Sequence, residues 1–332
     1  MKAICFKAFG AASDVLETVD IATPEPGPGE VRVKLATSGV NPSDVKKRAG
    51  AFPNLLDNGF VIPHSDGAGI IDAVGSGVRE SRVGERVFVY QAQHGRRFGT
   101  AAEYVCVDDL RAPAIGAKTG FDVAACFGIP VMTAHRCVFA DGPVSGQTVL
   151  VTGGAGRVGH YAIQWAAQAG ATVIATASNP EDEALCRSAG AAHVVNHRNK
   201  GWAADVLAAN GGQPVDRVVE VEFGANLSEI LDCIRKGGVV ATYSSSQDMQ
   251  PVLPFYRMMF MDLTLRMVIV YDMPETAKAQ AIADIAAAEA RGALQHRIAG
   301  TYPLEDCARA HEIIETGKPG GAIILRMDGP DD

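Results

Sequence analysis

The sequence has few aromatic residues and no excess of basic charge. Phenylalanine, tryptophan and tyrosine make up 6% of its 332 residues, and the formal net charge is −8 at pH 7. We therefore expect no nucleic-acid partner, because phosphate backbones are bound by clustered lysine and arginine. No apolar run is long enough to cross a bilayer, and the first seven residues lack the apolar core of a signal peptide. Attachment to a membrane is accordingly not expected.

Cysteines are also few, and they form no recognisable pattern. The seven cysteines include no CxxC pair and are odd in number; they stand at positions 5, 106, 126, 137, 186, 233 and 307. Reduced thiols and a cytoplasmic location are the expectation. The chain also lacks a Ser-His-Asp order and an arrangement of paired carboxylates, so hydrolase chemistry has no support.

A glycine-rich turn between a predicted strand and a predicted helix is the most informative segment. Thr148–Thr152 is a β-branched, apolar run that predicts a buried strand, and glycines follow at 153, 154, 156 and 159. A helix is predicted up to Gly170, and a second strand at 172–176. Such a turn lets the backbone approach a pyrophosphate, whose charge sits at the helix N-terminus. The strand-turn-helix-strand order favours a dinucleotide site over a tight turn without a ligand.

The end of the second strand distinguishes between the two nicotinamide dinucleotides. An NAD site usually places a carboxylate there, which holds the ribose 2′-hydroxyl. This chain has Ser178 and Asn179 instead, whose side chains can donate hydrogen bonds to a 2′-phosphate. That favours NADPH, with Arg157 or Arg198 as a candidate cation. NADH stays open, because three acids follow at 181–183.

The whole chain predicts an α/β fold with two domains. The first third contains short β-prone runs separated by glycine and proline, which is typical of a partly closed barrel. Further on, strands alternate with helices, which predicts a doubly wound parallel sheet whose last strand is Leu263–Val270. We assign residues 1–122 and 272–332 to a β-rich domain and residues 123–271 to a nucleotide-binding domain. Cofactor and substrate are expected to meet in a cleft between them.

Motifs spread over nearly the whole chain resemble the medium-chain dehydrogenase/reductase superfamily, in its zinc-independent quinone oxidoreductase (zeta-crystallin-like) branch. The resemblance is carried by Ser38–Asp44 (SGVNPSD), His64–Gly69 (HSDGAG), Val83–Val87 (VGERV), Gly99–Tyr104 (GTAAEY), Met132–Ala134 (MTA), Val151–Gly159 (VTGGAGRVG), Gly190–Arg198 (GAAHVVNHR) and Ala310–Ile313 (AHEI). It implies a GroES-like catalytic domain beside a Rossmann domain, usually in a homodimer. It also implies hydride transfer from NADPH to a quinone or an α,β-unsaturated carbonyl. An enoyl or acryloyl thioester reductase and a crystallin-like NADPH-binding protein without turnover are the alternatives.

The same resemblance predicts that no metal is bound. Zinc-dependent relatives have a cysteine where this chain has Asn41, and Gly-His-Glu where it has His64-Ser65-Asp66. A single cysteine stands between residues 90 and 111, where a structural zinc would need four. Thiolate and imidazole ligands set zinc affinity, and these positions lack them. The histidines on predicted helices are expected to be structural; they are His135, His160 and His311.

The resemblance assigns four residues to the acceptor side of the site. Asn41 is expected in the substrate cleft, where its amide can donate to a carbonyl oxygen, unless it only caps the turn at Pro42. Thr133 is expected close to the nicotinamide, unless its hydroxyl bonds to its own helix. Lys46 and Phe52 stand where better-known quinone reductases carry tyrosines. Lys46 is then a candidate proton donor, or else the Lys-Lys-Arg run at 46–48 forms a solvated face, and Phe52 keeps the pocket apolar.

On the cofactor side, the resemblance assigns residues that follow the predicted strands. The pyrophosphate is expected at the glycine turn and the 2′-phosphate at Ser178. The adenosine end is expected at His197, which is otherwise a plain surface histidine. The backbone around Ile269 is expected to bond the carboxamide. The full set is Gly153, Gly156, Arg157, Val158, Gly159, Ser178, His197, Tyr243, Ser244 and Ile269. Dimerisation is expected through edge pairing of Leu263–Val270.

Overall fold

The computed structural model of the chain describes residues 1–317 and 320–327, which divide into two compact units. Unit 1 consists of Met1–Ile129 and the chain from Ile282 onward, and unit 2 consists of Pro130–Ala281. The predicted domain boundaries, after residues 122 and 271, lie shortly before these two divisions. The end of the predicted C-terminal segment, residues 328–332, lies outside the described residues.

The elements follow one another in the order expected for a β-rich unit that is interrupted by an α/β unit. The strands are β1 (Lys2–Cys5), β2 (Glu17–Asp20), β3 (Glu30–Val40), β4 (Asp66–Val74), β5 (Arg86–Val89), β6 (Tyr104–Asp108), β7 (Thr148–Val151), β8 (Thr172–Ala177), β9 (His193–Asn196), β10 (Val215–Glu220), β11 (Ile234–Thr242), β12 (Thr264–Met267), β13 (Ile298–Pro303) and β14 (Ala322–Arg326). The helices are α1 (Ala12–Val15), α2 (Pro42–Arg48), α3 (Phe121–Ala124), α4 (Met132–Phe139), α5 (Arg157–Gln168), α6 (Pro180–Ser188), α7 (Trp202–Ala209), α8 (Phe223–Cys233), α9 (Phe255–Phe260), α10 (Glu275–Ala290) and α11 (Cys307–Glu315). None of the described helices has the length and apolar character needed to span a membrane.

Unit 1 is built around β3, a strand of 11 residues. β4 runs antiparallel along one side of it, while β6 and β14 share the other side. β5 extends the sheet beyond β4, β13 extends it beyond β14, and β1 pairs with β2. Side chains in the first half of β3 alternate between buried and more exposed, as in a strand with one face on the core. The predicted β-rich unit is confirmed.

Unit 2 contains a six-stranded parallel sheet in the order β12-β11-β10-β7-β8-β9. β7 and β8 are almost continuously buried, as expected for strands that are covered on both faces. The chain runs outward from β7 to β9, returns to the other side of β7 with β10, and runs outward again to β12. The loop after β7 therefore lies at the switch point where such sheets bind ligands. The predicted doubly wound sheet is confirmed.

A buried arginine holds α4, the helix that carries Thr133, against this sheet. Arg217 on β10 is 1% exposed, and its guanidinium donates to the carbonyl oxygens of Val138 and Asp141, the latter at 2.9 Å. Carbonyl groups at a helix C-terminus lack intrahelical partners and are satisfied by such a cation. Arg217 thereby fixes the end of α4 and, through it, the position of Thr133.

The last strand of the sheet is shorter than predicted. The apolar run suggested Leu263–Val270, but β12 ends at Met267 and a 3₁₀ turn follows at Val270–Asp272. The Val268 N–H still donates to the Thr242 carbonyl at 2.7 Å, after which the chain leaves the ladder. Among the described strands β12 pairs with β11 alone, so it forms one edge of the sheet.

Candidate active site

The glycine turn follows β7 and leads directly into α5. Gly153 has a φ of 58°, a conformation that glycine adopts readily. Its N–H donates to Thr176 Oγ1 at 3.0 Å, and the Gly154 N–H donates to the Thr176 carbonyl at 3.0 Å. Gly156 caps the helix and Arg157 is its first residue. The turn is thus tied to the end of β8, and the positive end of α5 opens into it, which suits a pyrophosphate.

Close packing at the start of α5 requires glycine at position 159. A Cβ at this position would stand 2.3 Å from the carbonyl oxygen of Gly153 and 3.0 Å from Gly154 Cα. Arg157 and Val158 are half-buried beside it. The five cofactor-binding residues predicted in this segment, from Gly153 to Gly159, therefore lie together at the turn and the start of α5.

The predicted 2′-phosphate site lies at the end of β8. Ser178 is half-buried there and has no hydrogen-bond partner among the described residues. Asn179 has another role: its Oδ1 accepts from the Asp182 N–H at 2.9 Å, and its Nδ2 donates to the Asp182 carboxylate at 2.6 Å. Asn179 thereby caps α6. The same bonds engage the carboxylate of Asp182, which is one of the three acids that left NADH open. His197 follows β9. Desolvation lowers the pKa of His197, and the nearby Asp182 carboxylate opposes that shift.

The remaining predicted cofactor residues follow β11 and β12. The Tyr243 N–H donates to the Glu220 carbonyl at 3.2 Å, which joins the ends of two neighbouring strands. Desolvation raises the pKa of both the Tyr243 phenol and the Glu220 carboxyl. Ser244 Oγ lies 3.3 Å from Ser246 Oγ, and Ile269 is 55% exposed. All of them stand at the carboxyl edge of the sheet, where dinucleotides bind.

In unit 1, Asn41 belongs to a buried polar cluster. Its Nδ2 donates to Asp66 Oδ2 at 2.9 Å, and its backbone N–H donates to Asp44 Oδ2 at 2.8 Å where Asn41 caps α2. Asp66 Oδ2 also accepts from the Ile129 N–H at 2.8 Å. Asn41 therefore caps a helix and also holds its amide in a fixed direction, so capping does not exclude a role towards a ligand.

Asp66 is fully buried, and its two carboxyl oxygens have different surroundings. Desolvation raises the pKa of Asp66 to about 8, against the opposing effect of the hydrogen bonds from Ile129 and Asn41. Oδ1 has no hydrogen-bond partner among the described residues. A Cβ at Gly128 would stand 2.1 Å from that oxygen, so glycine makes room for it. Since Oδ2 accepts two hydrogen bonds, Oδ1 is the oxygen that carries the proton at neutral pH.

The Lys-Lys-Arg run at 46–48 does not lie on one solvated face. Lys46 is exposed, whereas Lys47 and Arg48 are buried, so the solvated-face interpretation is wrong for two of the three residues. Lys47 Nζ donates to the Gln93 carbonyl at 3.2 Å. Desolvation lowers the pKa of Lys47, while nearby carboxylates oppose the shift. Phe52 is 54% exposed.

Asp66 and Lys47 are further candidates for function that the motifs of the sequence do not mark, although weaker signals for both exist. Asp66 is followed by five apolar or glycine residues in its strand, and a charged side chain at the start of such a run requires a buried partner. Asn41, Asp44 and Lys47 follow one another at intervals of three, which places them on the same side of α2.

Thr133, the remaining residue predicted for the acceptor side, lies on α4 of unit 2 and is 5% exposed.

Comparison with known proteins gives matches over nearly the whole chain. The family model described as alcohol dehydrogenase GroES-like domain matches residues 27–116, and the model described as zinc-binding dehydrogenase matches residues 158–287. Human quinone oxidoreductase is 31% identical over 330 residues, which cover 98% of each chain. A 2-haloacrylate reductase from Burkholderia is 28% identical, again over 98% of each chain. A mycobacterial protein solved in complex with NADPH is 29% identical, with a TM-score of 0.87, over 98% of this chain and 100% of the other.

One of these descriptions implies a zinc ion, and the residues at the corresponding positions do not fit it. By the resemblance, Asn41 and Ser65 stand where zinc-dependent relatives carry a cysteine and a metal-binding histidine. They offer an amide and a hydroxyl, and the amide of Asn41 is already bonded to Asp66. Catalytic zinc depends on imidazole or thiolate ligands, which this set lacks. Zinc chemistry therefore does not fit these positions.

Proposed function

The chain belongs to the medium-chain dehydrogenase/reductase family, in its quinone oxidoreductase branch, and on that premise we propose that it transfers hydride from NADPH to a quinone or an α,β-unsaturated carbonyl. The predictions of family, of a GroES-like unit and of a Rossmann unit are confirmed by this membership. The chain is an oxidoreductase that binds NADPH. The identity of the acceptor and the roles of individual residues are the parts that we propose.

The glycine turn carries the cofactor part of the proposal. It lies at the switch point of the parallel sheet and opens onto the N-terminus of α5, where the pyrophosphate binds. We assign the 2′-phosphate to Ser178, which stands at the end of β8 with no carboxylate beside it on the strand. His197, Tyr243, Ser244 and the backbone at Ile269 complete the cofactor site in this proposal.

The pair of Asn41 and Asp66 carries the acceptor part. An asparagine amide has two hydrogens, and Asp66 accepts one of them, which leaves the second for an acceptor carbonyl oxygen. When bound, NADPH supplies the hydride. Negative charge then grows on that oxygen, and a preorganised donor stabilises it. Asp66 acts through Asn41 as a positioning residue, because it fixes the direction of the amide.

Three other residues keep the roles proposed for them on the acceptor side. Lys46 is exposed and remains a candidate for donating the proton that completes the reduction. Phe52 would cover the acceptor with an apolar ring, and Thr133 would lie beside the nicotinamide. The similarity to a 2-haloacrylate reductase supports activated alkenes, besides quinones, as acceptors.

The test is an acceptor panel followed under excess NADPH and, separately, under NADH. We expect NADPH oxidation with quinones or free enones. Turnover confined to the matching thioesters would instead identify a thioester reductase. Cofactor binding without oxidation across the panel would identify a binding protein of the crystallin kind. Loss of all nicotinamide binding would remove the premise of the site in unit 2.

Asn41→Ala tests the assignment of the amide in unit 1. We expect kcat to fall about a hundredfold, as for the loss of one donor to a developing oxyanion, while the Kd for NADPH stays unchanged. The exposed Asn54→Ala is the matched control. Equal kcat in the two variants would contradict the role of Asn41.

We also propose a homodimer in which the β12 edges of two copies pair. Several large apolar side chains near this edge are exposed; they include Val252 (90%), Phe255 (66%), Phe260 (72%), Met267 (68%) and Ile269 (55%). An uncovered apolar edge strand invites aggregation, and native proteins cover it. A two-fold axis at β12 would pair identical strands and bury this surface in both copies.

A further inference from the structure

A buried group of two histidines and one cysteine lies in unit 1, apart from the residues assigned above. His64, Cys307 and His311 are 0%, 1% and 0% exposed, and their ligand atoms all lie within 4.8 Å of one another. Among the described residues, no other group of three such side chains meets this criterion. Cys307 and His311 are one helical turn apart on α11, and His64 precedes β4.

His64 is held in an uncommon conformation. Its φ is 76°, a region that residues other than glycine rarely adopt. Both ring nitrogens have partners: Nδ1 lies 2.9 Å from Ser38 Oγ and Nε2 lies 2.9 Å from His311 Nε2. An unfavourable conformation persists where the surroundings fix it, and such positions often serve a function.

The hydrogen bonds around His64 determine which of its ring nitrogens carries the proton and which has a free lone pair. The Thr100 hydroxyl lies 2.6 Å from the Asp66 carbonyl, which only accepts, so Thr100 donates there. The Ser38 hydroxyl lies 2.8 Å from Thr100 Oγ1 and donates in that direction. Ser38 Oγ is then left to accept from His64 Nδ1–H. The lone pair of His64 Nε2 therefore points towards Cys307 and His311, in the arrangement typical of a metal-binding histidine with a fixed second nitrogen.

We propose that His64, Cys307 and His311 form a binding site for a soft monovalent metal ion, Cu(I). Two imidazole nitrogens and a thiolate are ligands that such an ion prefers. His64 Nε2 lies 2.9 Å from His311 Nε2 and 3.8 Å from Cys307 Sγ. With metal–nitrogen bonds of about 2.0 Å, the two nitrogens would need to separate by about half an ångström. Small side-chain rotations supply that movement.

Charge favours a monovalent ion over zinc at this site. A thiolate and Cu(I) together are neutral, whereas a thiolate and Zn²⁺ leave one positive charge in the core, where an uncompensated charge is costly. The nearby charged groups are Asp44, Lys47 and Arg48, and Arg48 is paired with Glu315, so the surroundings supply no net negative charge to balance a dication. Binding releases the thiol proton of Cys307 to solvent and moves the His311 proton from Nε2 to Nδ1. His311 Nδ1 is buried without a hydrogen-bond partner among the described residues.

The test is anaerobic titration of the full chain with Cu(I), in competition with a chromophoric Cu(I) chelator. We expect one ion per chain, with a Cu K-edge absorption spectrum that shows one sulfur and two nitrogen neighbours. Cys307→Ser and His311→Gln should each weaken binding at least about tenfold. Cys233→Ser removes a buried cysteine of unit 2 and should leave binding unchanged.

His64→Gly guards against variants that fail to fold, because glycine suits the backbone at this position. It should keep the wild-type circular dichroism spectrum and lose the tight Cu(I) site. No competition by the wild-type chain would overturn the proposal. Equal Cu(I) binding by Cys307→Ser and Cys233→Ser would also overturn it. The same holds if the wild-type chain binds one equivalent of Zn²⁺ but no Cu(I). The proposal does not depend on the function argued above, since its readout is metal binding.

Discussion

At the scale of single residues, the site is defined by pairs rather than by single side chains. Asn41 stands out in the sequence, but its direction in space is set by Asp66, which lies 25 residues further along the chain. Lys47, and not the adjacent Lys46, is the lysine that is buried beside carboxylates. Which member of a charged run turns inward depends on what packs against the helix, and the run itself does not show it.

Asp66→Asn should change how stability depends on pH. The pKa of Asp66 is raised to about 8 in the folded chain, from an ordinary value of 3.8. Between these two values the native state holds a proton that the unfolded state has released, so the stability contributed by the neutral carboxyl falls as the pH rises from 3.8 to about 8 and changes no further at higher pH. The slope is at most about 1.4 kcal/mol per pH unit. Asparagine mimics the neutral acid and removes this dependence.

Thermal unfolding between pH 5.5 and pH 8.5 measures the effect. The wild-type midpoint should fall relative to that of Asp66→Asn as the pH increases. Asp57→Asn, at an exposed position of the same unit, should follow the wild-type curve. Parallel curves for wild type and Asp66→Asn would mean that Asp66 is ionised throughout the range.

Ser178→Asp tests the assignment of the 2′-phosphate. A carboxylate at the end of β8 would repel the phosphate, and a juxtaposed like charge costs enough to weaken NADPH by about ten- to a hundredfold. NADH should bind as before or more tightly, because a carboxylate there can accept from the ribose hydroxyl. Nicotinamide fluorescence titrations give both constants, with the exposed Ser228→Asp as control for added charge. Equal loss of both cofactors would place the 2′-phosphate elsewhere.

At the scale of elements, the proposed cofactor site depends on the connection between β7 and α5. The strand ends at the switch point of the sheet, and the turn that leads from it into α5 is hydrogen-bonded to Thr176 at the end of β8. This unit is local in sequence, so its pattern predicted it well. The length of β12 was predicted less well, because an apolar run does not show where the neighbouring strand stops pairing.

Gly159→Ala should weaken NADPH binding although alanine favours helices. In an exposed helix this change would stabilise by about 0.5–1 kcal/mol. Here the new Cβ would meet the Gly153 carbonyl at 2.3 Å, and overpacking of this kind costs about 1–3 kcal/mol. The turn must shift, so the Kd for NADPH should rise about tenfold or more. Gly120→Ala is the control, since a Cβ there meets nothing within 4 Å. An unchanged Kd for NADPH in Gly159→Ala would mean that the cofactor does not bind at this turn.

At the scale of the whole molecule, the exposed apolar side chains around β12 set the expected assembly. They belong to one edge of the unit 2 sheet and to the segment that precedes it. Association would cover them, while the net charge of −8 limits less specific contacts.

Met267→Lys should weaken the proposed dimer. A lysine on an edge strand opposes pairing with a second strand, because its charge would have to be buried between the two copies. In sedimentation velocity over a range of protein concentrations, Met267→Lys should dissociate into monomers at concentrations at which the wild type is still a dimer. Leu110→Lys, at a site in unit 1 that is 66% exposed, should have no such effect. A wild-type chain that sediments as a monomer at every concentration would end the proposal.

The sequence by itself determined the order of elements, the family, the cofactor turn and the identity of Asn41 as a candidate. These features depend on periodicity, on glycine chemistry and on motifs that are contiguous in the chain. Only the tertiary structure decided that Asp66 orients Asn41, that Asn179 caps α6, that Lys47 turns inward and that His64 meets His311. Each of these depends on which distant segments share a buried volume. A buried polar group must be hydrogen-bonded because leaving it desolvated without a partner is costly. The sequence pattern does not show which distant residue that partner is.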